Sequence, residues 1–66
     1  MASLLEEKRK EMGLTQEEIA HKLNITRQYY NAIENMKRKP SVELAKKLGD
    51  LLELDWTYFF NDRVNN

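Results

Sequence analysis

Residues 26–40 combine cationic side chains with side-chain amides, a mixture whose chemistry suits a polyanion. This stretch carries four cations and one carboxylate, whereas the whole chain has 11 basic and 11 acidic residues and no net charge. The cations are Arg27, Lys37, Arg38 and Lys39, and the carboxylate is Glu34. Because a polyanion responds to local potential, a neutral chain can still present one positive surface. Charge alone, however, favours the simpler interpretation of a solvated loop.

Residue types that would support catalysis or metal binding are scarce. The chain has no cysteine and one histidine, His21, so neither a thiolate nor a histidine zinc site is expected. The sequence has no glycine-rich phosphate loop and no nucleophile with an accompanying base, and 66 residues rarely enclose a deep pocket. We therefore expect no enzyme activity, no metal and no cofactor.

The apolar runs of the chain are short. None approaches the roughly 20 residues that a membrane-spanning helix needs. Charged residues from Glu6 onwards interrupt any secretory signal. These features predict a cytoplasmic protein with no membrane partner.

Polar residues with capping geometry divide the chain into five predicted helices. Ser3 with Glu6 and Thr15 with Glu18 have the spacing of capping boxes. The five expected N-caps are Ser3, Thr15, Thr26, Ser41 and Asp55, and the expected interruptions are Gly13, Asn24 and Pro40. The β-branched residues are too scattered for strands. The sequence predicts an all-α fold of five helices in one domain, residues 1–66, with a C-terminal tail over 61–66.

Residues 16–35 have the pattern of two helices joined by a tight turn. Ala20 is small enough for the helices to approach closely, and Ile25 fills the gap after the turn. Tyr30 and Ile33 anchor the second helix by one face only. The opposite face carries Arg27, Gln28 and Asn31. Such a helix-turn-helix unit fits its second helix into the major groove of B-DNA, which is roughly 12 Å wide.

These residues identify a family resemblance that spans about residues 4–60. The segments that carry it are Arg9, 13–20 (GLTQEEIA), 23–27 (LNITR), 33–35 (IEN) and 37–41 (KRKPS). The chain resembles the Xre/Cro/CI-type phage-repressor family of transcription regulators. The resemblance implies a compact lambda-repressor-like DNA-binding domain and a sequence-specific regulator, expected to be a repressor. It also implies an internal ion pair between Arg9 and Glu34, which gives Arg9 a structural role.

The resemblance implies two kinds of DNA contact. The base-reading positions are Arg27, Gln28 and Asn31. Arginine pairs with guanine and the amides with adenine, although Arg27 and Asn31 have the DNA backbone as an alternative partner. The phosphate-binding positions are Gln16, Tyr29, Asn35, Lys37, Arg38 and Lys39. Gln16 opens a helix, whose free N–H groups favour an anion.

Three positions depart from simple expectations. Met36 stands where the family usually has glycine, which predicts either a left-handed backbone or a different exit from the helix. Tyr30 is larger than the usual residue, and we expect its ring in the core and its hydroxyl at a polar rim. Gly49 lies inside the fourth helix at a cost of about 1 kcal/mol relative to alanine, which predicts a close helix–helix contact.

The expected partners are a double-stranded DNA operator and a second copy of the chain. A dimer of this family would read half-sites roughly 34 Å apart, one helical turn. The candidate dimer interface is apolar, although its residues serve equally as core: Leu51, Leu54, Trp56, Tyr58 and Phe60. The alternative function is a protein-interaction module such as an antitoxin, and a third is sequence-indifferent nucleic-acid binding. The cations at 37–39 favour DNA over a masked protein partner.

Overall fold

The computed structural model describes residues 3–60, and within them the only regular elements are helices. Four α-helices follow in order: α1 (Leu4–Glu11), α2 (Gln16–Leu23), α3 (Arg27–Glu34) and α4 (Val42–Leu52). A 3-10 helix, Trp56–Phe60, completes the fold. The all-α prediction is confirmed, and the described residues include no strand. The predicted tail over 61–66 lies outside the described residues.

The predicted fifth α-helix is a single short 3-10 segment. Its bonding follows the tighter i→i+3 pattern, with the Tyr58 N–H donating to the Asp55 carbonyl oxygen at 3.0 Å. Asp55 caps it as expected, because its carboxylate accepts the Thr57 N–H at 3.0 Å. Five residues allow little α-helical bonding, so edge-to-face packing of Trp56 on Phe60 at 6.1 Å also orders the segment.

Each α-helix begins at a predicted hydroxyl cap. The side chains of Ser3, Thr15, Thr26 and Ser41 accept the backbone N–H three residues later, at 3.0–3.1 Å. At Thr15 the box is complete, because the Glu18 carboxylate accepts the Thr15 N–H at 2.9 Å. Each cap satisfies an N–H that the helix itself leaves free, typically stabilising by about 1 kcal/mol.

The core lies between α2, α3 and α4, with α1 packed across it. Its fully buried side chains include Leu5, Ile19, Tyr30, Leu48 and Leu52. Asn24 adopts a left-handed conformation at φ 60°, so α2 ends and α3 begins within a few residues. The half-buried Ile25 packs against the core beside this turn, as predicted. None of the helices within residues 3–60 is long and apolar enough to cross a bilayer.

Gly49 marks a close approach, as predicted, and its neighbours are the Leu54 carbonyl oxygen and Trp56, the first residue of the 3-10 helix. A Cβ at this position would lie 2.7 Å from the Leu54 carbonyl oxygen and 3.2 Å from the Trp56 Cβ. The chain that returns from α4 therefore packs directly on the α4 backbone. The Leu54 N–H donates to the Gly49 carbonyl oxygen at 3.0 Å, which closes this turn.

Met36 adopts a left-handed conformation, the first of the two alternatives that its position predicted. Its φ is 63°, and 72% of its surface is exposed, so little packing compensates for the backbone conformation. A non-glycine residue in this region costs on the order of 1–2 kcal/mol. The turn is retained because the Lys37 N–H donates to the Ala32 carbonyl oxygen at 2.8 Å, which ends α3.

The Met36→Gly substitution is expected to raise the free energy of unfolding by about 1 kcal/mol, because glycine adopts positive φ without steric strain. Urea unfolding followed by circular dichroism measures the change. Met12→Gly is the matched control, since Met12 is also exposed at a helix end but has a φ of −89°. We expect that control to lose stability. Equal losses in both variants would show that the backbone at Met36 is not strained.

Candidate nucleic-acid interface

The second helix of the helix-turn-helix unit is buried along one side and exposed along the other. Tyr30 is 0% exposed and Ile33 is also buried, whereas Arg27 and Gln28 are exposed. Thr26 caps the helix immediately before these two residues. The two predicted base-reading side chains therefore project from the first turn of a helix whose other side belongs to the core.

Four of the predicted DNA-contacting residues line a single groove between the starts of α2 and α3. They are Gln16, Arg27, Gln28 and Asn31. Gln16 is the first residue of α2, and it is half-buried, as is Asn31. The groove thus presents a guanidinium and three side-chain amides together. Guanidinium and amide groups are the kinds of side chain that can read base edges in the major groove.

A buried carboxylate lies behind this groove. Glu34, at the end of α3, is 3% exposed and accepts hydrogen bonds from three helices. The Arg9 Nε donates at 2.7 Å and its Nη2 at 3.3 Å. The Tyr30 hydroxyl donates at 2.7 Å and the Gln16 Nε2 at 2.6 Å. The predicted Arg9–Glu34 ion pair is confirmed, and it is one part of a larger network.

The network determines the protonation of its members. Burial alone would raise the pKa of Glu34, but hydrogen bonds from Arg9, Tyr30 and Gln16 outweigh burial and hold that pKa below its usual 4.5. The hydrogen bond to Glu34 raises the pKa of Arg9. Burial, followed by the bond to Glu34, raises the pKa of Tyr30 well above 10. Glu34 is therefore ionised and Tyr30 neutral at physiological pH.

The network extends outwards through side-chain amides. The Asn31 Nδ2 donates to the Gln16 Oε1 at 3.2 Å, and the Asn35 Nδ2 donates to the Asn31 Oδ1 at 3.1 Å. Asn35 is exposed and is the C-cap of α3. Three predicted DNA-contacting residues, Gln16, Asn31 and Asn35, are thereby connected to the buried Glu34.

The remaining predicted contacts lie outside the groove, three of them in the loop that follows α3 and the fourth, Tyr29, on α3 itself. Lys37, Arg38 and Lys39 are all exposed. The Arg38 guanidinium lies 5.2 Å from the centre of the Tyr29 ring, at cation–π distance. Tyr29 itself is half-buried and packs against the core. Among the described residues, no group of three potential metal ligands converges.

Two features of the site differ from, or go beyond, the sequence interpretation. The Tyr30 ring is in the core as predicted, but its hydroxyl donates to the buried Glu34 rather than reaching a polar rim. Their i, i+4 spacing on one helix is a signal that could have indicated this bond. The Gln16–Asn31 and Gln16–Glu34 contacts join different helices, and no spacing rule identifies them.

Tyr30→Phe tests how far the network stabilises the fold. Removal of the hydroxyl should lower the free energy of unfolding at pH 7 by roughly 1.5–3 kcal/mol, the range for a hydrogen bond to a charged group. A lowered carboxyl pKa contributes stability above pH 4.5 that is lost as pH falls through the folded-state value. In the variant the pKa of Glu34 should be less depressed, because one of its hydrogen-bond donors is gone. The difference in unfolding free energy between the variant and the unsubstituted chain should therefore shrink as pH falls, in a pH series of urea unfolding curves.

The control for this variant is Tyr29→Phe, which removes a hydroxyl that is not part of the network. Its unfolding free energy should stay close to that of the unsubstituted chain at every pH. A Tyr30→Phe deficit that is small, or that is constant between pH 7 and pH 3, would contradict the predicted role of the Glu34 carboxylate.

Comparisons with known proteins gave matches over most of the chain. The profile of the helix-turn-helix family matches residues 5–59. A Bacillus subtilis (strain 168) protein named as the uncharacterised helix-turn-helix-type transcriptional regulator YqaF is 51% identical over 65 residues, covering 98% of this chain and 86% of its own. An uncharacterised regulator of the same type from Methanothermobacter thermautotrophicus is 44% identical over 52 residues, covering 79% and 75%.

A phage protein is also similar. The ImmF control region 10 kDa protein of Bacillus phage phi105 is 36% identical over 55 residues, which cover 83% of this chain and 61% of the phage protein. No solved structure gives a significant match. The family profile spans the groove, the buried carboxylate and the loop after α3. The chain therefore belongs to the helix-turn-helix family of the Xre/Cro/CI type.

Proposed function

We propose that this DNA-binding transcription regulator acts as a repressor, which inserts α3 into the major groove of an operator as a homodimer. The observation that carries the proposal is the exposure of Arg27 and Gln28 on a helix whose other side is buried. A side chain can discriminate bases only if its support is fixed relative to the DNA. The control-region name of the phage relative supports a regulatory role.

In this proposal the groove residues read bases. Arg27 donates two hydrogen bonds to guanine, and Gln28 and Asn31 each offer the donor and acceptor that adenine matches. Each such pair is worth about 1–3 kcal/mol of discrimination between base pairs. Gln16 contacts a phosphate at the start of α2, where the helix dipole adds attraction.

The loop after α3 holds the DNA backbone. Lys37, Arg38 and Lys39 are exposed in a turn that is fixed to α3 by hydrogen bonds to the Ala32 carbonyl oxygen. Tyr29 supports Arg38 from below and presents its hydroxyl to a phosphate, and Asn35 extends the contact at the end of α3. Because phosphates carry no sequence information, this loop contributes affinity that depends on salt.

We further propose that residues 1–66 act as one DNA-binding domain, in the cytoplasm, and that two copies pair through their C-terminal apolar residues. The half-buried Leu54, Tyr58 and Phe60 belong to this region. Two copies would place their α3 helices in successive major grooves roughly 34 Å apart. The proposal involves no catalysis. The alternative function, in which the domain covers a partner protein as an antitoxin does, would not explain why four polar side chains line one groove.

Binding to a library of random duplexes tests the proposal. A sequence motif with two-fold symmetry is the expected result. Arg27→Ala should then lose about 1–3 kcal/mol of discrimination at one base pair, since it removes a base contact. Its thermal stability should be unchanged, because Arg27 is exposed.

The contrasting variant replaces Arg38 and Lys39 together with alanine. It should weaken binding to selected and random duplexes equally, and it should flatten the salt dependence by up to about two charges. This pattern separates phosphate contacts from base contacts in one set of titrations. Equal losses of Arg27→Ala on selected and random DNA would refute base reading, and selection without any motif would refute the proposed operator function.

A further inference from the structure

In the hydrogen bonds behind the groove, each side-chain amide donates towards the buried Glu34. A carboxylate only accepts hydrogen bonds, so Glu34 obliges the Gln16 amide to turn its nitrogen inwards. That nitrogen lies 2.6 Å from the Glu34 Oε1. The Gln16 carbonyl oxygen consequently faces Asn31, which must donate to it and does so at 3.2 Å.

The same direction continues to the surface. Because Asn31 uses its nitrogen towards Gln16, its oxygen is turned towards Asn35, whose Nδ2 donates at 3.1 Å. An asparagine amide has two donors and two acceptor positions. Asn31 thus keeps one N–H and one lone pair for other partners. Their orientation is set by Glu34 through Gln16.

We propose that Glu34 and Gln16 are positioning residues, which fix the amide of Asn31 before DNA arrives so that its donor and acceptor are already oriented for a base edge. The expected effect on base reading rests on the proposed function. The orientation of the Asn31 amide does not, because it is a property of the free chain. Ordering a side chain before binding removes about 0.5–1.5 kcal/mol of the entropy cost of association, a gain of about twofold to twelvefold in affinity.

Gln28 lies in the same groove and provides a comparison. It is exposed, and it makes no side-chain hydrogen bond to another residue in the described part of the chain. The two amides therefore differ in how they are held, although the resemblance gives both the same role. We expect Asn31 to be ordered in the free chain and Gln28 to be mobile.

Side-chain amide NMR of the free full chain tests the inference directly. In the unsubstituted protein the Asn31 Nδ2 group should have a high order parameter and slow proton exchange, while that of Gln28 should fall below about 0.6. Gln16→Met keeps the length of the side chain but removes the amide. In this variant the Asn31 amide should become mobile and exchange severalfold faster. Gln28→Met is the matched control and should leave the order of Asn31 unchanged.

Glu34→Gln tests the buried end. It replaces one acceptor oxygen with a donor, so the Gln16 amide should lose its order in any folded fraction. Loss of a buried charge partner can prevent folding. The Gln16→Met variant therefore decides whether the Asn31 amide is positioned if Glu34→Gln does not fold. An Asn31 amide that is equally ordered in Gln16→Met and in the unsubstituted protein would overturn the inference.

Binding measurements complete the experiment. On duplexes selected by the unsubstituted chain, Gln16→Met should reduce base discrimination at one position by about twofold to twelvefold, because Asn31 must then be ordered as it binds its base. Loss of the Gln16 phosphate contact would weaken all duplexes equally and so would not change this ratio. If the chain selects no duplex, the proposed function fails, yet the NMR result still decides whether Asn31 is positioned. Discrimination that is unchanged while Asn31 becomes mobile would refute its effect on DNA reading.

Discussion

The ionised carboxylate of Glu34, buried within the described residues, joins the three helices around the polar groove. Burying the charge of Glu34 is costly unless it is paired and hydrogen-bonded. Here Arg9 from α1, Gln16 from α2 and Tyr30 from α3 all donate to it. Removal of one partner from such a pair typically costs about 3–5 kcal/mol. That cost exceeds the net contribution of an intact pair, because desolvation of the two buried charges offsets most of their attraction.

The location of this carboxylate explains how so short a helix can be held. α3 has eight residues, and its buried side chains are Tyr30, Ile33 and Glu34. Isolated helices of this length are unstable in water, so tertiary contacts must fix it. The Tyr30 side chain both packs its ring in the core and donates a hydrogen bond from its hydroxyl to Glu34. The remaining surface of α3 is then available to a partner.

Local rules in the sequence predicted the helices and their caps, because hydroxyl caps, a left-handed Asn24 and i, i+4 patterns depend on near neighbours. The family resemblance added the Arg9–Glu34 pair, which joins residues far apart in sequence. The position of Gly49 predicted a close contact, but neither source identified Leu54 as its neighbour, and neither indicated the bond from Asn31 to Gln16. Those contacts depend on the relative placement of elements. The 3-10 form of residues 56–60 likewise depends on the tight return of the chain after α4.

Backbone amide hydrogen exchange along α3 in the free chain tests most directly whether the buried carboxylate fixes this helix. If Glu34 and Tyr30 hold α3 to α1 and α2, the amides of residues 31–34 should exchange only when the whole domain opens. Their opening free energy should then equal the unfolding free energy from denaturant titration. Exchange of these amides through openings several kcal/mol less costly than global unfolding would show that α3 detaches on its own, and it would contradict the account.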